Sequence, residues 1–131
     1  MTRVRAMVID DSRAMRLILS RIVSQLGFEV TEAGNGREAL DKLAAVAEAP
    51  SLALIDWNMP EMNGLEFVTA VRADPRYRGM TLMMVTTESE QGQIVRALAA
   101  GAHEYVIKPF TPDAIVEKLA LLGLAPNGAA A

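Results

Sequence analysis

The chain has 131 residues, with thirteen basic against sixteen acidic side chains, a net charge of −3 and no cysteine. That length suits one domain burying roughly two-thirds of the surface its unfolded form exposes, and the acidic balance offers no footprint for nucleic acid or an anionic membrane. Absence of cysteine excludes a disulfide framework and a thiolate zinc site, and fits a reducing, cytoplasmic setting.

The first apolar run, residues 4–9, ends at the acid pair Asp10-Asp11. Arg3 and Arg5 resemble a signal-peptide start, but the apolar stretch is too short for one, and no stretch approaches the length of a membrane span. Met15, Ile18, Leu19, Ile22 and Leu26 then recur at helical spacing, with Gly27 as the stop. Residues 28–33 make a modest second strand, and Gly34-Asn35-Gly36 turns the chain into a helix carrying Leu40, Leu43 and Val46. A third strand, residues 52–56, ends at Asp56, followed by Trp57 and Asn58. The next helix carries Leu65, Phe67, Val68 and Val71, and Asp74-Pro75 ends it because the residue before proline disfavours helix. Arg72, Arg76 and Arg78, around that proline, read as a solvated loop.

Residues 81–86 form strand four and end at Thr86. The polar segment from Thr87 to Gly92 gives the following helix, with Ile94, Val95 and Leu98, a weakly specified start where mobility is expected. Strand five is Tyr105 to Lys108, and Thr111-Pro112 caps a last helix through Ile115, Leu119 and Leu122. Residues 125–131 should fray, leaving residues 1–124 as the folded domain. Five strands alternating with five helices predict an α/β fold, a parallel sheet covered on both faces.

Ligands of open α/β sheets gather at the carboxyl ends of the strands, so Asp10, Asp11 and Asp56 should converge. Clustered carboxylates raise one another's pKa; keeping them ionised at neutral pH calls for a hard, oxygen-loving cation such as Mg²⁺. Lys108, followed by Pro109, adds a positive charge at the same edge. Metal, carboxylate and ammonium together suit a phosphoryl group. Asp56 could instead be a loop or capping acid, but a surface loop would not usually place an indole next to it. Either Asp10 or Asp11 could cap the first helix. His103 is the only histidine and has no partners to complete a metal site.

The acid pair, the run Asp56-Trp57-Asn58-Met59-Pro60 with Met62-Asn63-Gly64 behind it, Thr86, and Lys108-Pro109-Phe110 resemble the receiver domain of bacterial two-component response regulators, most closely the single-domain chemotaxis (CheY-like) type. The match covers nearly the whole chain. The resemblance implies a doubly wound (βα)5 sheet in the flavodoxin-like order 2-1-3-4-5, and a phosphorylation-dependent switch that catalyses only its own phosphorylation and dephosphorylation. Asp56 is then the phosphoacceptor and Mg²⁺ the cofactor, held by Asp11, Asp56, the Asn58 carbonyl and, through water, Asp10. Lys108 and Thr86 would contact the phosphoryl oxygens, and Thr86 and Tyr105 would form the switch. Asn58 and Glu88 would flank the attacking water, and the Lys108-Pro109 peptide would be cis.

The implied partners are a sensor histidine kinase or phosphotransfer protein and a downstream target, such as a motor or signalling component, bound through the helix 4, strand 5 and helix 5 face. The expected state is a cytoplasmic monomer that binds neither nucleic acid nor membrane. Thr87 stands where the chemotaxis type often has a smaller residue, and Gly92 and Leu98 depart from its pattern in helix four, so a flagellar-switch ligand is not implied. Two alternatives stand beside this reading. One is a receiver cut from a hybrid kinase or transcription regulator. The other is a haloacid-dehalogenase-type phosphatase, against which the adjacency of Asp10 and Asp11 argues, since that nucleophile is followed by a second Asp two residues on.

Overall fold

The structure, a computed structural model, describes residues 4–87 and 91–124. Its elements in chain order are β1 Arg5–Ile9, α1 Arg13–Gln25, β2 Glu29–Ala33, α2 Gly36–Ala45, β3 Leu52–Asp56, α3 Gly64–Ala73, a 3-10 turn Pro75–Tyr77, β4 Thr81–Thr87, α4 Gln91–Ala100, β5 Glu104–Lys108 and α5 Pro112–Leu121. The five strands are parallel and lie in the order β2-β1-β3-β4-β5. The fold class and the strand order are as expected. The chain therefore reverses direction across the sheet between β1 and β3, the position where such sheets open a crevice.

Alternation along the strands sorts the core into two layers. Met7, Ile9, Ala53, Ile55, Leu82 and Met84 pack against α2, α3 and α4 through Ala39, Leu43, Phe67, Val68, Val71 and Ala97. Their neighbours Ala6, Val8, Leu52, Leu54, Met83 and Val85 pack against Leu19, Ile22 and Val23 of α1 and Ile115 and Leu119 of α5. Burial on both faces explains why the strands read as unbroken apolar runs. Each large side chain so buried contributes about 1.5–3 kcal/mol.

Helix ends follow local chemistry. Asn35, Asn63 and Thr111 cap α2, α3 and α5, and Asn63 with Glu66 closes a reciprocal capping box. At the end of α1, Gly27 takes a positive φ of 99°, and the Phe28 N–H donates to Val23 O at 3.1 Å. That six-residue closure keeps Phe28 out of the second strand, which begins at Glu29. The last seven residues, expected to fray, lie outside the described residues, as do residues 88–90 of the segment expected to be mobile.

One correction concerns Arg72. It is half-buried in the last turn of α3, where Nε donates to Gly101 O at 3.1 Å, and its terminal nitrogens donate to Tyr77 O at 3.1 Å, Arg78 O at 3.2 Å and Met80 O. Only Arg76 and Arg78 of that cluster are exposed. The guanidinium thus satisfies four carbonyls of two turns that no helix or strand would pair. Beside it, His103 Nδ1 accepts the Leu82 N–H at 3.1 Å while the backbone N–H of His103 donates to Leu82 O at 2.8 Å. Burial, with the Arg72 charge, pushes this imidazole below its ordinary value, which preserves the acceptor nitrogen.

Gly101 makes the Arg72 arrangement possible. Its φ is 125°, and a Cβ there would lie 2.4 Å from Arg72 Cγ. Gly101→Ala should lower stability by about 1–3 kcal/mol from backbone strain, read as a shift of the urea midpoint at unchanged slope. An unshifted midpoint would show that the α4–β5 turn and Arg72 yield without cost.

Candidate functional site

Asp10 follows the last residue of β1 and Asp56 is the last residue of β3, and the sheet pairs these strands side by side through Ile9 and Ile55. The topology therefore brings the acids together. Carboxylate oxygens of Asp10, Asp11 and Asp56 lie within 4.8 Å of one another. Asp10 and Asp56 are buried at 1% and 7% exposure, while Asp11 is exposed. Lys108, at the end of β5, reaches across with Nζ 3.0 Å from Asp56 Oδ1 and 3.6 Å from Asp10 Oδ2.

Three carboxylates face one ammonium, and the proton affinities follow. Burial, then the Asp10 charge, pushes Asp56 up to about 6 against the opposing Lys108 hydrogen bond. Burial also raises Asp10, partly offset by the Ser12 N–H and Lys108. Burial alone would lower Lys108, but its hydrogen bond to Asp56 and the two acid charges prevail and raise it. Burial of the two acids and the excess of carboxylates over ammonium together produce these shifts.

Local bonds fix the acids. The Ser12 N–H donates to Asp10 Oδ1 at 2.8 Å, and the Ser12 hydroxyl accepts the Met15 N–H at 3.2 Å. Ser12, not Asp10 or Asp11, caps α1, because Asp10 is already turned back on the chain by its own hydrogen bond. Asp10 Oδ2 is buried without a hydrogen-bond partner. An orphaned carboxylate oxygen among two further acids is an all-oxygen donor set that fits a small hard dication.

Behind Asp56, Gly64 opens α3 with its N–H on Trp57 O at 2.9 Å, and a Cβ at this glycine would come within 2.8 Å of Asp56 O. The loop between them exposes Asn58 and holds Glu61 at a φ of 67°. Trp57 turns away into the α2-α3-α4 core layer. Thr86 is buried on β4, one residue past Val85, the register partner of Asp56. Tyr105 is half-buried on β5 with Lys118 Nζ 4.8 Å over its ring, and it lines a groove of about 350 Å³ with Pro109, Phe110, Thr111 and Lys118. The Lys108-Pro109 peptide is cis. Glu88 lies outside the described residues. Gly64 falls in the Met62-Asn63-Gly64 motif that the sequence already offers, whereas Ser12 and Arg16 carry no signal along the chain that sets them apart.

Comparison with known proteins gives a consistent picture. Residues 6–120 match the family described as response regulator receiver domain. Over 116 residues the chain is 47% identical to chemotaxis protein CheY1 of Helicobacter pylori, covering 88% of this chain and 93% of that one. A chemotaxis protein CheY homolog of Campylobacter jejuni is 46% identical over 88% of each chain. Among solved structures, chemotaxis response regulator CheY4 of Vibrio cholerae superposes with a TM-score of 0.83 at 34% identity, covering 92% of this chain and 99% of that one.

The raised Asp56 pKa makes a signed prediction for the metal-free protein. A carboxyl near 6 in the folded state but at 3.8 unfolded binds protons more tightly when folded, so it lowers stability above pH 6, and this deficit fades as the pH falls toward 4. With chelator present, Asp56→Asn should be more stable than the native chain at pH 7 by about 1–3 kcal/mol, with the gap narrowing by pH 4.5. Urea unfolding at the two pH values measures this. A variant less stable than the native chain at pH 7 would contradict it.

Proposed function

Since the chain belongs to the response regulator receiver domain family, a class of phosphorylation-dependent signalling proteins rather than turnover enzymes, we propose that Asp56 accepts a phosphoryl group from the phosphohistidine of a kinase or phosphotransfer protein. The observation that carries this reading is the placement of buried Asp56, 3.0 Å from Lys108 and inside the acid cluster, at the switch point of the sheet. An Asp56 oxygen forms a bond to phosphorus as the P–N bond breaks, and the electron pair of that bond returns to the imidazole nitrogen. Carboxylates are weak nucleophiles, so rate comes from alignment and from charge neutralisation on the equatorial oxygens.

Asp11, Asp56 and the Asn58 carbonyl would hold Mg²⁺, with Asp10 acting through a bound water. The ion supplies charge neutralisation for the phosphoryl oxygens. Lys108 already lies beside Asp56 and supplies the ammonium contact. Thr86 supplies a hydroxyl from the neighbouring strand. In a separate step that resets the site, water attacks phosphorus as the bond from phosphorus to the Asp56 oxygen breaks, releasing phosphate and restoring Asp56, with Asn58 beside its approach; Glu88, to which the resemblance gives the same role, lies outside the described residues.

The output runs through Thr86 and Tyr105 to the face made by α4, β5 and α5. A dianion on Asp56 draws Lys108 and Thr86 toward it, and Tyr105 repacks beside its groove, so a minor conformation becomes the major one. Couplings of this kind are about 1–3 kcal/mol, equivalent to roughly 5–150-fold in partner affinity.

Incubation with Mg²⁺ and acetyl phosphate should add one phosphoryl mass to the native chain and none to Asp56→Asn; a stoichiometric increment on the variant would refute the assignment. Thr86→Ala should still be phosphorylated but lose most of the phosphorylation-dependent gain in target binding. Equal gains for native and variant would show that the signal takes another route.

A further inference from the structure

Arg16 lies one turn past the α1 cap, its N–H on Ser12 O at 2.9 Å. Its side chain turns back toward the acid pair. Nη1 donates to the backbone carbonyl of Asp10 at 2.7 Å, and Nε donates to Glu32 Oε1 on β2 at 3.3 Å. Only 20% of the side chain is exposed. A second anchor backs Glu32: Lys42 donates to the Glu32 carbonyl and pairs with Glu38 at 3.1 Å, and Glu38 accepts the Gly34 N–H at 2.8 Å.

The contact falls on the peptide linking Asp10 to Asp11 rather than on either carboxylate. Around Asp10, the N–H is held by Ala33 O at 3.1 Å and one carboxylate oxygen by Ser12. With the carbonyl taken by Arg16, Oδ2, which has no hydrogen bond and lies 3.6 Å from Lys108 Nζ, is the Asp10 atom that faces the acid cluster. Fixing that peptide also fixes the Cα from which the Asp11 side chain projects. A forked guanidinium can hold both the carbonyl and Glu32 at once, which a single ammonium cannot.

We infer that Arg16 is a positioning residue for the divalent-cation site, holding the Asp10-Asp11 peptide so that both carboxylates are preset for the ion before it binds. This rests on the reading of that site as a Mg²⁺ site. Groups that orient metal-binding residues without touching the ion typically change affinity by 10–100-fold when removed. A purely structural arginine would instead lower stability and leave affinity alone.

The test is Mg²⁺ titration of the native chain, Arg16→Met and Arg16→Lys, followed by calorimetry, with melting temperatures measured in chelator. Arg16→Met should raise the Kd by about 10-fold or more, and Arg16→Lys should raise it less but measurably. Should Arg16→Met fail to fold, the lysine variant decides alone. A native-like Kd in a folded variant, whatever its melting temperature, would overturn this inference and leave the metal reading intact. No saturable binding by the native chain would overturn the metal reading and this inference with it.

Discussion

The site is organised by a shortage of positive charge: Asp10, Asp11 and Asp56 converge where the ends of β1 and β3 meet, and Lys108 is the cation placed among them. Two of the acids are buried, so water cannot screen the repulsion. Burial raises the Asp10 and Asp56 proton affinities, at Asp56 with the Asp10 charge added, and Asp10 Oδ2 is left without a hydrogen bond. A dication offsets the imbalance without changing any covalent bond. The phosphoryl group proposed for Asp56 would restore it in a new place, which would be the physical origin of the proposed switch.

Such a site lowers the stability of the fold that carries it, and the scaffold shows where the offset comes from. Two apolar layers enclose β1, β3 and β4, so the strand ends bearing the acids are held by burial on both faces. Ser12, Arg16 and Gly64 then hold the backbone within a residue or two of each acid. The face proposed for output is built differently. Tyr105 and Lys108 lie on β5, an edge strand of intermediate burial, and the Lys118–Glu104 pair and Lys118–Tyr105 contact hold it from α5. These partly exposed contacts are easily rearranged, which suits the output role proposed for this face.

Much of this could be read along the chain. Asp10, Asp11, Asp56, Thr86 and Lys108 each close an apolar run, and a parallel sheet aligns such ends, so hydrophobic patterning alone pointed to a common edge. The strand order came from the resemblance, since periodicity carries no information on which strands pair. What stayed hidden are contacts linking residues far apart without a pattern. Arg72 bonds a carbonyl 29 positions away, and its arginine neighbours in sequence are solvated, so composition assigned it to the wrong class. Arg16 and Glu32 are 16 positions apart and look like ordinary surface charges. Ser12 was overlooked as a cap because two stronger-looking acids precede it. Phe28 reads as a strand residue, and only the turn geometry at Gly27 shows that its N–H closes α1.

The central claim, that the acid cluster is poised for a dication and that Asp10 and Asp56 hold protons more tightly than free carboxyls when none is bound, is tested most directly by calorimetry of Mg²⁺ binding to the native chain at pH 5.0 and pH 7.5. The ion competes with protons on Asp10 and Asp56, whose affinities for them are raised. Binding should be clearly tighter at pH 7.5, with protons released to the buffer at pH 5.0. Equal affinity at the two pH values, with no proton release, would contradict the account.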